Sequence, residues 1–193
     1  MNDELRQAKR PVSRILAGPY GHPLHPLAVT VPIGAWAASL VFDIASRVSG
    51  GSAALARGSS WLIAIGLAGA LAAALLGFLD LIVIPAGTRA ARTAVLHMSL
   101  VLLVTAAYAG NLLWRHAEIA PGPVPAGPLA LSVASMAVLG AGGYLGGKLA
   151  FRYGVRVAEE SDQADGYEQP ASRHAAPPRP PAAAEPGRAP RPR

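Results

Sequence analysis

The sequence predicts an all-α integral membrane protein: a four-helix transmembrane bundle with a disordered Pro-, Ala- and Arg-rich C-terminal tail. Four apolar runs, about residues 27–45, 61–84, 94–114 and 126–147, each approach the ~20 residues that a helix needs to cross a bilayer. Asp43 and Asp80 are the charged residues inside those runs, so the helices lack the continuous polar face that a soluble bundle requires. The 193-residue chain is 52 % hydrophobic and 15 % charged, with a mean hydropathy of +0.34, more apolar than an average soluble domain.

Taken in order, residues 1–20 form a polar, Pro-punctuated N-terminal segment. It is not laid out like a cleaved signal peptide, so the first apolar run is expected to stay as the first span. Short turn-rich connections follow each span: Arg47–Ser60 with Gly50-Gly51, Pro85–Thr93, and Arg115–Pro125 with Pro121-Gly122-Pro123-Val124-Pro125. The transmembrane domain is read as 21–157 and the tail as 158–193. The tail has no apolar period to bury and contains Pro177-Pro178-Arg179-Pro180-Pro181, a solvated extension with the form of a PxxP ligand.

A net charge of +6 and a pI near 10.3 raise the question of nucleic acid. Residues 1–157 hold 12 basic and 5 acidic side chains, and 158–193 hold 5 and 6, so the excess belongs to the apolar part. There it sits in short clusters flanking the spans, the pattern of membrane loops, and nucleic-acid binding is excluded. Arg6, Lys9, Arg10, Arg14, Arg89, Arg92, Lys148, Arg152 and Arg156 fall on one side; Arg47, Arg57 and Arg115 fall on the other. Nine against three places both termini in the cytoplasm. The absence of cysteine excludes disulfides, cysteine-ligated metals and thiol catalysis. There is no nucleophile–base pair, phosphate loop or carboxylate pair at catalytic spacing, which disfavours a hydrolase or kinase.

The polar residues inside the spans fall into stripes at the ~100° helical increment. In the first span His25, Pro32, Trp36 and Asp43 share a line, with Ser39 near it. In the second Asp80 shares a face with Gly77, Ala73 and Gly69, a small-residue ladder that lets a neighbour approach closely. In the third His97, Val104, Tyr108 and Asn111 lie on one side. The fourth ends in Gly142/Gly146 and Gly143/Gly147 pairs, then Lys148, Phe151, Arg152 and Tyr153 at headgroup level. Alternation of the spans brings His22, His25, Asp80, Arg89, His97, Arg152 and Tyr153 to the cytoplasmic ends. Asp80 is expected to find its partner in Arg89, Arg92 or Arg152. The prolines of His22-Pro23-Leu24-His25-Pro26 bias both histidines toward extended backbone and stiffen the approach to the first helix. Imidazole ligates transition metals and haem iron, so His25 with His97 could hold haem b, or His22, His25, His97 and Asp80 a metal ion. The alternative is a cluster that only fixes packing.

Gly21-His22-Pro23-Leu24-His25-Pro26, Val31-Pro32-Ile33-Gly34 with Trp36, Val41-Phe42-Asp43, Gly77-Phe78-Leu79-Asp80, His97 and Gly146-Gly147-Lys148-Leu149-Ala150-Phe151-Arg152-Tyr153-Gly154-Val155 resemble, in order, the bacterial membrane-protein family of domain of unknown function 2231. The resemblance covers about residues 18–157. It implies a four-span integral protein of unassigned role, and the Rieske-type iron–sulfur domains joined to some relatives imply redox company. Many members carry a further histidine where this chain has Thr30 and Val31, which speaks against a site needing three first-helix histidines. The reading that results is a multi-pass protein of the bacterial plasma membrane, in contact with lipid and with a redox partner protein, that binds haem or a metal for electron transfer. Two other readings stand beside it: a non-catalytic scaffold whose tail recruits a partner, and a conduit for a small solute or protons along His25, Asp43, Tyr108 and Asn111.

Overall fold

The structure, a computed structural model, describes residues 3–10, 23–117, 122–165 and 167. The chain divides into two compact units, Met1–Ala158 and Glu159–Arg193. In chain order the helices are α1 (Asp3–Lys9), α2 (Leu24–Ala28), α3 (Thr30–Val48), α4 (Ala53–Leu81), α5 (Arg89–Ala117), α6 (Ala126–Phe151) and α7 (Glu160–Asp165). The last lies in the second unit and the rest in the first. The Pro-rich run expected to be disordered, with its PxxP form, lies outside the described residues.

All four expected spans are present: Leu24–Val48, Ala53–Leu81, Arg89–Ala117 and Ala126–Phe151. Each extends beyond its apolar run at one or both ends. The longest, of 29 residues, measure about 43 Å against a hydrocarbon core of ~30 Å, so their polar ends continue into the headgroup zone. No more than 28 % of any span's most apolar stretch is buried inside the protein, and Val41, Leu71, Leu75 and Leu103 are exposed. Such outward apolar surface is what lipid covers.

Helix α2 runs into α3 through Val29, which keeps a helical conformation (φ −67°, ψ −17°). Pro32 has no N–H to give the Ala28 carbonyl, so the ladder breaks there without ending the span. His25 is therefore helical, in the first turn of α2, rather than extended as its proline neighbour suggested. A turn with positive φ at Gly50 and Gly51 leads into α4, capped by Ser52. Thr88 caps α5 through a 3.0 Å bond from Ala91 N. Around the bundle α3 packs on α4, α4 on α5, α5 on α6 and α6 on α3. The diagonal pair α3 and α5 thus run in the same direction.

One buried polar cluster ties all four spans together. The Arg115 guanidinium grips Asp43 with two bonds, 2.7 Å to Oδ1 and 2.6 Å to Oδ2. Ser59 of α4 donates to Asp43 Oδ1 at 2.5 Å, and Ser132 of α6 donates to Oδ2 at 3.1 Å. Arg115 Nε donates to Asn111 Oδ1 at 2.7 Å, while Asn111 Nδ2 donates to the Pro128 carbonyl at 2.9 Å and to Ser132 Oγ at 3.0 Å. Beside this cluster the loop before α6 is anchored to the end of α3: Val124 N donates to Ser46 Oγ at 3.1 Å and Arg47 to the Val124 carbonyl at 2.6 Å. The sequence pattern placed Arg115 among the loop charges. It is instead part of α5, with its side chain 5 % exposed and turned inward onto Asp43.

Removing one partner leaves the other charge buried and unpaired. Asp43→Ala and Arg115→Ala are each expected to cost about 3–5 kcal/mol, read as loss of unfolding free energy in mild detergent. The double variant Asp43→Leu/Arg115→Met is expected to cost less than the sum of the single changes, because no orphaned charge remains.

Candidate functional site

The end of the bundle opposite this cluster is where α2 begins, α4 ends, α5 begins and α6 ends. His25, from α2, and His97, from the third turn of α5, meet there with ring centroids 6.4 Å apart and planes at 89°. His25 Nδ1 is 2.9 Å from the Ala73 carbonyl oxygen and His97 Nδ1 is 2.7 Å from that of Gly142. A carbonyl only accepts, so in the neutral ring each Nδ1 carries the proton and each Nε2 the lone pair. A bond of this kind, from the ring nitrogen that faces away from the metal to a backbone carbonyl, is how metal-ligating histidines are usually oriented. No described group bonds either Nε2.

Each ring also rests on a glycine one helical turn past its carbonyl. A Cβ on Gly77 would come within 2.9 Å of His25 Cε1, and one on Gly146 within 3.1 Å of His97 Cε1. Gly77 and Gly146, from the small-residue rows expected to let whole helices approach, thus serve as seats for side chains, whereas Gly143 faces nothing within 4 Å. Gly69 likewise faces Val31 and Pro32, and a Cβ on Gly66 would overlap the Trp36 indole.

The two halves share one construction. His25, Trp36 and Asp43 on α3 and its leading turn precede His97, Tyr108 and Arg115 on α5 by 72 residues each. Each pair meets across the bundle axis: the imidazoles as above, the Trp36 and Tyr108 rings stacked at 4.3 Å and 12°, and Asp43 on Arg115. By helical rise the aromatic pair lies about 16 Å below the histidines and about 10 Å above the ion pair. Trp36 and Tyr108 are 2 % and 0 % exposed and pack with Ile63, Ala70 and Val104. The polar stripes of α3 and α5 are thus interrupted midway by an apolar, stacked layer.

The other expected site residues divide. Asp80 lines the same cavity as His25 and His97, but its partner is Arg156, whose Nε lies 3.0 Å from Asp80 Oδ1. Arg89, Arg92 and Arg152, the expected partners, are exposed. Arg156 lies past α6 in a turn where Gly154 has φ 66° and Arg156 itself φ 59°. That rare conformation for a non-glycine residue brings its amide to the Ala8 carbonyl at 3.2 Å and its side chain to the Lys9 carbonyl at 3.3 Å. It joins α1 to Asp80. Among the described residues no three His, Asp or Glu side chains form a metal-binding group; of the expected set, His25, His97 and Asp80 line one cavity. His22 lies outside the described residues. Tyr153 packs on the small apolar cluster of Ile84, Ala94 and Leu149, with Lys148 Nζ 5.7 Å from its ring centroid. A hydrogen bond with Thr93 holds its hydroxyl below the usual tyrosine range, and nearby Lys148 acts in the same sense. Asn111 and Tyr108 belong to the opposite end and the middle of the bundle.

Gly77→Ala and Gly146→Ala are each expected to push a ring off its seat and to cost about 1–3 kcal/mol, with altered imidazole resonances in NMR spectra. Gly140→Ala, which would meet nothing within 4 Å, is expected to be neutral in both measurements.

The family model described as "Predicted membrane protein (DUF2231)" matches residues 21–159, the stretch that contains all four spans and all three cross-axis pairs. No curated protein and no solved structure matches the chain. On that match, and with four membrane-length helices to bear it out, the chain belongs to the DUF2231 family of predicted membrane proteins.

Proposed function

We propose that this chain is a redox component of the bacterial plasma membrane, with both termini cytoplasmic, in which His25 and His97 ligate one metal centre between α2 and α5. The observation that supports it is the paired construction: two imidazoles across the bundle axis, each fixed through Nδ1 to a backbone carbonyl and each left with Nε2 for a metal. The iron of a b-type haem is the first candidate, because two axial protein ligands suffice for it, whereas a bare ion takes three or four. The cavity that the rings line measures about 120 Å³, room for an ion and a few waters. That volume is smaller than a porphyrin, so haem needs the two rings to move off their Gly77 and Gly146 seats. Haem or ion would supply the electron-transfer chemistry, and the residues of this chain hold, orient and desolvate it. A redox partner protein would exchange electrons with it at the cytoplasmic face.

A scaffold reading finds its support at the other end, where the Asp43–Arg115 cluster is satisfied by protein groups throughout. A conduit finds less, because the Trp36–Tyr108 stack stands across the axis between the two polar clusters. For orientation, setting aside Arg115 and Arg156, each paired with a buried or half-buried aspartate, leaves Arg47 and Arg57 at that end against eight basic residues at the other, the same bias toward cytoplasmic termini.

Protein purified from haem-replete cells is expected to show a Soret band and stoichiometric iron, both lost in His25→Ala and in His97→Ala while each variant stays folded, with a thermal midpoint near that of haem-free wild type. Colourless protein free of iron and copper would sink the proposal. Because the chain has no cysteine, single cysteines report sidedness cleanly. Ser49→Cys is expected to react with a membrane-impermeant maleimide added to intact cells, and Ala86→Cys only after the membrane is broken.

A further inference from the structure

A second cavity, about 440 Å³, opens between α4 and α5 at the end that holds the Asp43–Arg115 cluster. Arg57 and His116 stand at its rim, Trp61 forms a wall, and Ala64 and Leu112 lie one to two turns deeper toward the membrane interior. Arg115 also lines it, but its five N–H donors are directed to Asn111, Asp43, Ser59 and Ser132, so it contributes little free charge to the cavity. Arg57 is exposed, and no described carboxylate pairs with it. Glu118, next along from this rim, lies outside the described residues. His116 Nδ1 is engaged with the Leu112 carbonyl at 2.8 Å, which leaves Nε2 as the ring nitrogen available to a ligand. Trp61 is 72 % exposed, and Ile65, one turn below it, is exposed as well.

The cavity therefore changes from cationic at its rim to apolar at its floor over about two helical turns, beside an aromatic residue of the kind that settles at the headgroup level. A soluble anion would use the rim alone. An amphiphile with a phosphate above and an acyl chain below uses rim, wall and floor together, with Arg57 supplying planar guanidinium donors and Trp61 an indole N–H. We infer that this cavity binds the phosphate group of an anionic phospholipid in the leaflet at this end, with Arg57 as its charged anchor and His116 and Trp61 as flanking contacts.

The test is native mass spectrometry of the full-length protein in detergent, titrated with phosphatidylglycerol, with phosphatidylcholine, and with phosphatidylglycerol in the presence of inorganic phosphate. Phosphatidylglycerol is expected to bind in preference to phosphatidylcholine, to raise the thermal midpoint, and to resist displacement by inorganic phosphate. Arg57→Gln is expected to weaken its binding about tenfold, the scale of one charge-assisted contact, and His116→Ala to weaken it less. Both variants should keep the wild-type midpoint in phosphatidylcholine. Undiminished phosphatidylglycerol binding by a folded Arg57→Gln overturns the site, and full displacement by inorganic phosphate overturns its lipid assignment.

Discussion

The ion pair between Asp43 and Arg115 is the constraint on which the rest of the bundle depends. In lipid, helices gain little from burying apolar side chains against one another, because the surroundings are already apolar. What fixes their mutual positions is close packing of small residues and the need of every buried polar group for a partner. Asp43 sits fully buried near the end of α3, where an unpaired carboxylate is not tolerated. Its two oxygens are met by α4 through Ser59, by α6 through Ser132 and by the diagonal α5 through Arg115. One side chain thereby sets the rotation and height of all four spans.

With that end fixed, the opposite end is placed by construction. A helix locked at Asp43 delivers Trp36 two turns away and His25 three turns beyond that, on nearly the same line. The same spacing on α5 delivers Tyr108 and His97. The two diagonal helices therefore present matching series of residues that meet in three layers, acidic on basic, ring on ring, and imidazole near imidazole. Only the first layer is asymmetric in charge, and it is satisfied by protein groups, as are the Trp36 N–H and Tyr108 hydroxyl of the second. The histidine layer keeps two ring nitrogens without described partners, and that difference is why the functional proposal rests there. Arg156, folded back through a left-handed turn, closes this end by tying α1 to Asp80.

Much of this was legible from residues in a line. The inward faces of α3 and α5 follow from helical phase, and Pro32, Trp36, Ser39, Asp43, Val104, Tyr108 and Asn111 are all buried. Arg115 was not legible, because the apolar run ends at Trp114 and the next charge reads as loop. The 72-residue offset that aligns His25, Trp36 and Asp43 with His97, Tyr108 and Arg115 is the signal that points it inward. Arg156 offered less: only Gly154 two residues earlier hints that the chain reverses there. The glycine rows read as helix–helix contacts, since spacing tells which face is small but not what fills the space.

The sequence by itself determined that the chain is helical, that it crosses the membrane four times, and which faces of α3 and α5 avoid lipid. Those properties depend on local composition and on a period of 3.6 residues, both of which a single chain carries openly. Tertiary structure alone decided that Asp43 pairs with Arg115, that Asp80 pairs with Arg156 and that His25 and His97 seat on Gly77 and Gly146. Each of these joins residues tens of positions apart through the rotation and height of packed helices, and helical phase along one segment holds no information about the distance to another.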